Sequence, residues 1–345
     1  MIEYNYLLND IIFAKTSAMT SLKLYLFVVF ALILSLVIDI IFGELPTRVH
    51  PVVIVGSLIS FFKSMFESIR SRISGLMVVM CVYLASGIIL YIIYFISSFN
   101  TVFMFIVFTV LLSSTFSVNM LLKTAGDVKD ALDESMEKAR QLVSYLVSRD
   151  TDELTESFIV SATIESLTEN ITDSYVAPVF YYFVFATVIL FNPFDDQLFY
   201  LLLVPMLYRA SNTLDAMLGY KTDELVCIGY VPAKIDDALN YIPSRIAGIF
   251  MVASAYILKL NGGNAFRIMK RDARNCPSPN SGYTMATAAG ALDIRLIKKD
   301  TYILGDGNKD ITKEDISKAV NLSGLTIILF TVTIILLFTL IYVVL

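Results

Sequence analysis

Histidine, cysteine and tryptophan are nearly missing from this 345-residue chain: one His, three Cys and no Trp. A single histidine, His50, excludes a multi-histidine metal centre. Cys81, Cys227 and Cys276 form no CxxC pair, which excludes a disulfide framework and a thiolate zinc cluster. No GxxxxGK[ST] run occurs, so a P-loop is excluded. Charge is scarce too, at 17% of residues, where a soluble domain carries about 25%. What fills the space is apolar: 57% of residues, with a mean hydropathy of +0.72. That composition excludes disorder and makes a bilayer the solvent for much of the chain. Within it, 31 acids against 26 bases, a net charge of −5, need a reason to be there.

A spanning helix needs roughly 20 apolar residues. Residues 22–42, 75–96, 102–122 and 325–345 meet that length. The first is too long for a signal-peptide core and has no small-residue cleavage site. Residues 175–191 end at the turn signal Asn192-Pro193, and the shorter run 198–208 follows, so the pair reads as a helical hairpin. Residues 246–260 are short and stop at Asn261-Gly262-Gly263-Asn264, which predicts a re-entrant or interfacial helix. The expected fold is all-α: a polytopic integral membrane protein, one domain over 1–345, with short or re-entrant helices and polar loops. Nearly all Lys and Arg fall in 43–74, 123–173, 208–245 and 261–322. The positive-inside rule places those segments on the cytoplasmic side of the cell membrane and both termini outside.

The acids are clustered. Residues 123–173 hold twelve acids and five bases. Within them Glu165, Glu169 and Asp173 are spaced i, i+4, i+8, which on a helix makes one carboxylate stripe, with Asn170 beside it. Such a stripe suits a Mg²⁺ site or an acid/base pair; a solvated helix face is the plainer alternative. Asp236, Asp237 and Asn240 offer hard oxygen ligands of the kind Mg²⁺ takes, or a helix N-terminus with favourable acids. Arg209, Asn212 and Asp215 recur at i, i+3, i+6, where Arg209 holds an anion in a fork or simply snorkels. Arg149-Asp150-Thr151 suits a helix N-cap. The turn from Cys276 through Ser278 and Asn280 to Gly282 precedes an Ala-rich helix, and its amides can cradle a phosphate or merely cap that helix. His50, next to Arg48 at a membrane exit, is an anion contact or a structural residue.

Five motifs occur in one order. The first runs from Asp39, Gly43 and Pro46 to His50 and Gly56. The second joins Arg149-Asp150-Thr151 to Glu165, Glu169, Asn170, Asp173 and Pro178. The third is Tyr208-Arg209 with Asn212, Asp215 and Gly219. The fourth holds Asp236-Asp237, Asn240, Pro243 and Arg245. The fifth is Pro277-Ser278-Pro279-Asn280 with Gly282, continuing to Leu292. Over residues 32–292 the chain resembles the CobD/CbiB family, the adenosylcobinamide-phosphate synthases of cobalamin synthesis. It departs from the family pattern at Tyr283, Thr284 and Met285, where Trp, Pro and Glu are usual. Lys234 replaces an Arg, and Ile297 and Lys298 stand where a glycine pair is usual.

The resemblance implies an ATP-dependent amide ligase. A propionate carboxylate of adenosylcobyric acid is joined to (R)-1-amino-2-propanol O-2-phosphate, or to the free aminopropanol. It implies ATP and Mg²⁺ as cofactors. The corrinoid, the aminopropanol phosphate and membrane lipid are the partners, with no nucleic acid. On this reading Asp236, Asp237 and Asn240 hold the metal, and Arg149, Arg209 and Arg245 grip phosphates. Glu165 or Glu169 deprotonates the amine, in a catalytic group with Asn170 and Asp173. His50, Asp150, Asn212, Asp215, Ser278 and Asn280 line the substrate. Two rivals fit less well. A membrane prenyltransferase needs a second matching DxxxD motif, which is absent. A transporter predicts charged spans and an inverted repeat, whereas the spans here are almost free of charge and unrepeated.

Overall fold

The apolar runs are helices in a computed structural model that describes residues 21–147, 150–220, 222–308 and 310–345. The chain is an all-α polytopic membrane protein. Among the described residues six stretches are long and apolar enough to cross a membrane: Ser21–Phe42, Pro51–Ile69, Arg72–Ser97, Thr101–Glu134, Glu156–Phe191 and Lys313–Val344.

Contacts cluster into two units. The first takes the chain up to Thr115, Pro178–Ala233 and Ile334–Leu345. Its helices are α1 (Ser21–Phe42), α2 (Pro51–Phe66), α3 (Arg72–Ser97) and α4 (Thr101–Ser113), with most of α8 (Ala177–Phe191) and all of α9 (Gln197–Leu218). Local chemistry sets their ends. Ser71 caps α3, and Asn100 caps α4 by accepting from the N–H groups of Val102 and Phe103; each cap satisfies donors that a helix start leaves orphaned. α1 packs on α4, and α9 packs against α2, α3 and α4. Outward faces stay apolar, with Phe30, Ile41, Leu84 and Val102 exposed, as a lipid-facing surface requires.

Three of these elements differ from the sequence expectation. The run 102–122 is broken, since α4 ends at Ser113 and a new helix starts at Val118. Segment 43–74 is expected to be a cytoplasmic segment bearing Lys and Arg, yet α2 occupies half of it and the stretch Pro51–Ile69 is long and apolar enough to cross a membrane. His50 at the N-cap and Pro51 at the first helical position start that helix. The run 198–208 is only the first half of α9, whose polar second half carries Arg209, Asn212 and Asp215.

The second unit takes Phe116–Ala177 and Lys234–Thr333. It holds α5 (Val118–Glu134), α6 (Met136–Ser144), α7 (Glu156–Ile171), the end of α10 (Tyr230–Leu239), α11 (Tyr241–Ile257), α12 (Gly262–Asp272) and α13 (Gly282–Leu292). A two-stranded hairpin follows, β1 (Leu296–Lys298) with β2 (Tyr302–Leu304), and then the larger part of α14 (Lys313–Val344). The run 246–260 lies largely in α11, a 17-residue apolar helix shorter than a span. The Ala-rich α13 is buried along its whole length. Its small side chains let α11, α12 and α7 pack closely on it. The resulting core joins Ile164, Leu167, Ile268, Ala286, Ala289, Leu296 and Leu304.

A glycine is required where β2 ends. Gly305 has φ +88°, and a Cβ there would sit 2.3 Å from the carbonyl oxygen of Ile294. The chain can therefore turn tightly under α13 and hold the hairpin against α7.

Candidate active site

α7 is buried almost all round, so its polar side chains must find partners inside the protein. Glu165, 4% exposed, finds two. Its Oε1 accepts from the Ser161 hydroxyl at 2.7 Å, and its Oε2 accepts from the Tyr302 hydroxyl at 2.8 Å. Ser161 also accepts the Ile297 N–H at 3.2 Å. One helix turn of α7 is thus tied to both strands of the hairpin. Burial, and then the Glu165 charge, push the Tyr302 phenol far above its ordinary pKa, so it stays a donor at any working pH.

Lys298 and Tyr302 are directly paired across the hairpin. They face one cavity of about 210 Å³ with Leu146, Val147, Glu165, Ser166 and Glu169. Glu169, one turn beyond Glu165, keeps solvent-accessible surface although protein atoms crowd its carboxylate, and it lies in the field of Asp173, Lys298 and Glu165. The expected stripe of Glu165, Glu169 and Asp173 is bent at its end, because Thr172–Val176 is a π turn rather than α-helix. Such turns insert one residue and are frequent at functional sites. Here the turn leaves the Ser174 carbonyl to accept the Ser117 N–H at 3.0 Å, just before α5. Asn170 faces away from the carboxylate cavity; it lines a neighbouring one, and its Nδ2 donates to the Ser166 carbonyl at 2.9 Å.

The second acidic cluster divides. Asp236 and Asn240 share a face, where Asn240 Nδ2 donates to Asp236 Oδ2 at 3.0 Å. Asp237 turns to Lys234, whose Nζ donates to it at 2.8 Å. Among the described residues no group of three or more His, Cys, Asp or Glu side chains is arranged to hold a metal ion. One carboxylate and one amide remain on the shared face. That suits Mg²⁺, which keeps waters and substrate phosphates as its other ligands.

The proline turn is bolted to this cluster. Asn280 Nδ2 donates to the Asp237 carbonyl at 2.8 Å, and its Oδ1 accepts from Arg245 at 2.8 Å. Arg245 also donates to the Pro279 carbonyl at 3.1 Å and to the Tyr241 carbonyl at 2.7 Å. Its guanidinium stacks between the Tyr241 and Tyr283 rings, at 3.7 and 4.1 Å. Ser278 accepts the Asn280 N–H. The donors expected to grip phosphate here are engaged in fixing the turn. Cys276, at its start, has its thiol pushed up to about 12 by burial, so it is a packing residue rather than a nucleophile.

The other expected residues stand elsewhere. Asp150 forms a local turn by accepting the Asp152 N–H at 3.0 Å. Thr155, not Asp150 or Thr151, occupies the N-cap position of α7. Arg149 lies outside the described residues. His50, Arg209, Asn212 and Asp215 belong to the first unit. His50 Nδ1 accepts the Val52 N–H at 3.1 Å as the N-cap of α2, and burial lowers its pKa. Arg209 donates to Asn212 Oδ1 at 3.3 Å. Sequence reasoning missed Ser161, Lys298 and Tyr302. Only Lys298 left a trace, as a charge in place of a usual glycine.

A family model described as CobD/Cbib protein matches residues 32–323. The chain belongs to the CobD/Cbib family. A "probable cobalamin biosynthesis protein CobD" of Methanothermobacter thermautotrophicus is 44% identical over 302 residues, covering 87% of this chain and 94% of the relative. One of the same name from Methanocaldococcus jannaschii is 36% identical, over 82% of this chain and 90% of its own. The "cobalamin biosynthesis protein CobD" of Listeria monocytogenes is 33% identical, over 84% and 91%. No solved structure matches. The CobD/Cbib match spans Glu165, Glu169, Asp236, the proline turn and the hairpin alike.

Proposed function

We propose that the chain acts in cobalamin biosynthesis as an adenosylcobinamide-phosphate synthase. It joins a propionate carboxylate of adenosylcobyric acid to the amine of (R)-1-amino-2-propanol O-2-phosphate, with ATP consumed. The observation that carries this reading is the cavity that brings Glu165, Glu169, Lys298 and Tyr302 together in a member of the CobD/Cbib family.

A carboxylate does not form an amide with an amine at neutral pH, because oxide is too poor a leaving group. Transfer of the ATP γ-phosphoryl group to the carboxylate gives an acyl phosphate and ADP. Attack by the amine then forms the C–N bond and releases phosphate. The amine arrives as an ammonium ion and must lose a proton first. Glu169, solvent-accessible and one helix turn from the fixed Glu165, takes that proton. Lys298 supplies positive charge where the acyl phosphate develops negative charge. Glu165, held by Ser161 and Tyr302, keeps the hairpin and its lysine in place. Mg²⁺ would be held by Asp236 and Asn240, where it offsets the charge of the ATP phosphates. ATP and the corrinoid are cytosolic, and the polar segments of the second unit face that side of the cell membrane in this proposal.

The test is Glu169→Gln in the purified full-length chain. Removing a general base costs roughly 10²–10⁴ in rate, so ligation should fall at least about 100-fold with the corrinoid KM little changed. Wild-type turnover by this variant would remove Glu169 from the chemistry.

A further inference from the structure

Beside the carboxylate cavity lies a second cavity of about 190 Å³, and the two share Leu146 and Ser166. Ser166 joins them physically, since its hydroxyl donates to the Leu146 carbonyl at 3.2 Å. The chemistry of the two is opposite. The first is lined by two carboxylates and a lysine. The second has no charged side chain; besides the shared Ser166 its polar lining is Ser117, Thr124, Tyr145, Thr163, Asn170 and Ser174, set among apolar walls. Among the described residues both hydrogen bonds of Asn170 leave from Nδ2, which keeps its Oδ1 available as an acceptor.

We infer that this neutral lobe is a corrinoid subsite that takes one carboxamide-bearing arm of the macrocycle while the reacting propionate lies next to Glu169. This rests on the ligation reading above. A lobe without charge offers no counter-ion to a phosphate, an ammonium or a carboxylate. It suits a neutral group that both donates and accepts hydrogen bonds on a short apolar stem, as a propionamide does. Its volume is far below that of a corrin ring, so it takes an arm and leaves the ring outside. The shared wall places that arm beside the reacting carboxylate, as neighbouring arms on one macrocycle require. The lobe thus sets which corrin carboxylate is presented.

Two variants test it in the full-length chain: Thr124→Phe, which fills the lobe, and Asn170→Ala, which removes the acceptor. Binding of the coloured corrinoid is read by ultrafiltration, and KM is read separately for corrinoid, amine and ATP. Loss of one hydrogen bond weakens binding by about fivefold to tenfold. That rise is expected in the corrinoid Kd and KM for Asn170→Ala, with a larger one for Thr124→Phe and an unchanged KM for ATP. A rise in the KM for ATP alone would make the lobe an adenine pocket and overturn the inference. Corrinoid binding equal to wild type in both variants would overturn it as well. Corrinoid binding weakened as expected, in a protein that forms no amide, would support the lobe and remove the ligation reading instead.

Discussion

The hairpin that carries Lys298 and Tyr302 is anchored at its far end by one buried carboxylate, and removing it should unfasten the site from a distance. Asp272, 3% exposed, accepts the Gly305 N–H at 2.9 Å and two hydrogen bonds from Arg271 at 2.6 and 2.7 Å. In Asp272→Ala the Gly305 N–H stays buried without its acceptor. An orphaned buried donor costs about 1–3 kcal/mol. With about 2 kcal/mol lost from local stability, amide exchange across Leu296–Gly305 should speed up about thirtyfold. Hydrogen exchange read by mass spectrometry in detergent resolves this region from α1–α4, where no change is expected. Turnover should fall with it, because Lys298 and Tyr302 lose their fixed place beside Glu165. Unchanged protection of the hairpin would refute the anchoring argument.

Tyr302→Phe removes the phenol donor from a buried carboxylate; a hydrogen bond to a charged group contributes about 1.5–3 kcal/mol, and a lowered thermal midpoint with reduced ligation is expected, while an unchanged midpoint would count against it. The Asp272 anchor should also weaken in acid. Burial raises the Asp272 pKa, but the Arg271 and Gly305 hydrogen bonds outweigh it and hold the carboxyl below its ordinary value of 3.8, and Arg267 and Arg271 do the same for Asp306. A carboxyl depressed in the folded state stabilises fully above its unfolded pKa and loses that contribution as pH falls through the folded value; hairpin protection factors, with the intrinsic pH dependence of amide exchange divided out, should thus be flat from about pH 6 to 8 and fall below about pH 4. Flat behaviour in acid would contradict it. Asn280→Ala cuts the bridge between Asp237 and Arg245, so proteolysis at the 276–282 turn should increase; equal resistance would show that the stacked Arg245 holds the turn alone.

The long apolar helices were legible in the sequence because lipid imposes both length and composition on them. The pairing of Glu165 with Glu169 was legible too, since an i, i+4 spacing fixes a shared helix face. Helix α2 was hidden: Arg48 and Lys63 give its segment a basic cast, although the His50-Pro51 start marked it. The bend at Asp173 was hidden because a π turn has no periodic signature. Asp236 and Asp237 are adjacent in sequence and so diverge on a helix, leaving one carboxylate where two were expected. Tyr302 reaches Glu165 across more than a hundred residues, and Lys298 comes to the same cavity with it. No local pattern announces a contact of that range. Arg245 and Asn280 looked like phosphate ligands because the same donors that bind an anion also fix a turn.

The most direct test is to incubate the purified chain with adenosylcobyric acid, (R)-1-amino-2-propanol O-2-phosphate, ATP and Mg²⁺ and to weigh the corrinoid product. Formation, only with ATP present, of a species equal to the two substrates less one water is the expected result. Adenosylcobyric acid recovered unchanged, with ATP intact, would contradict the account.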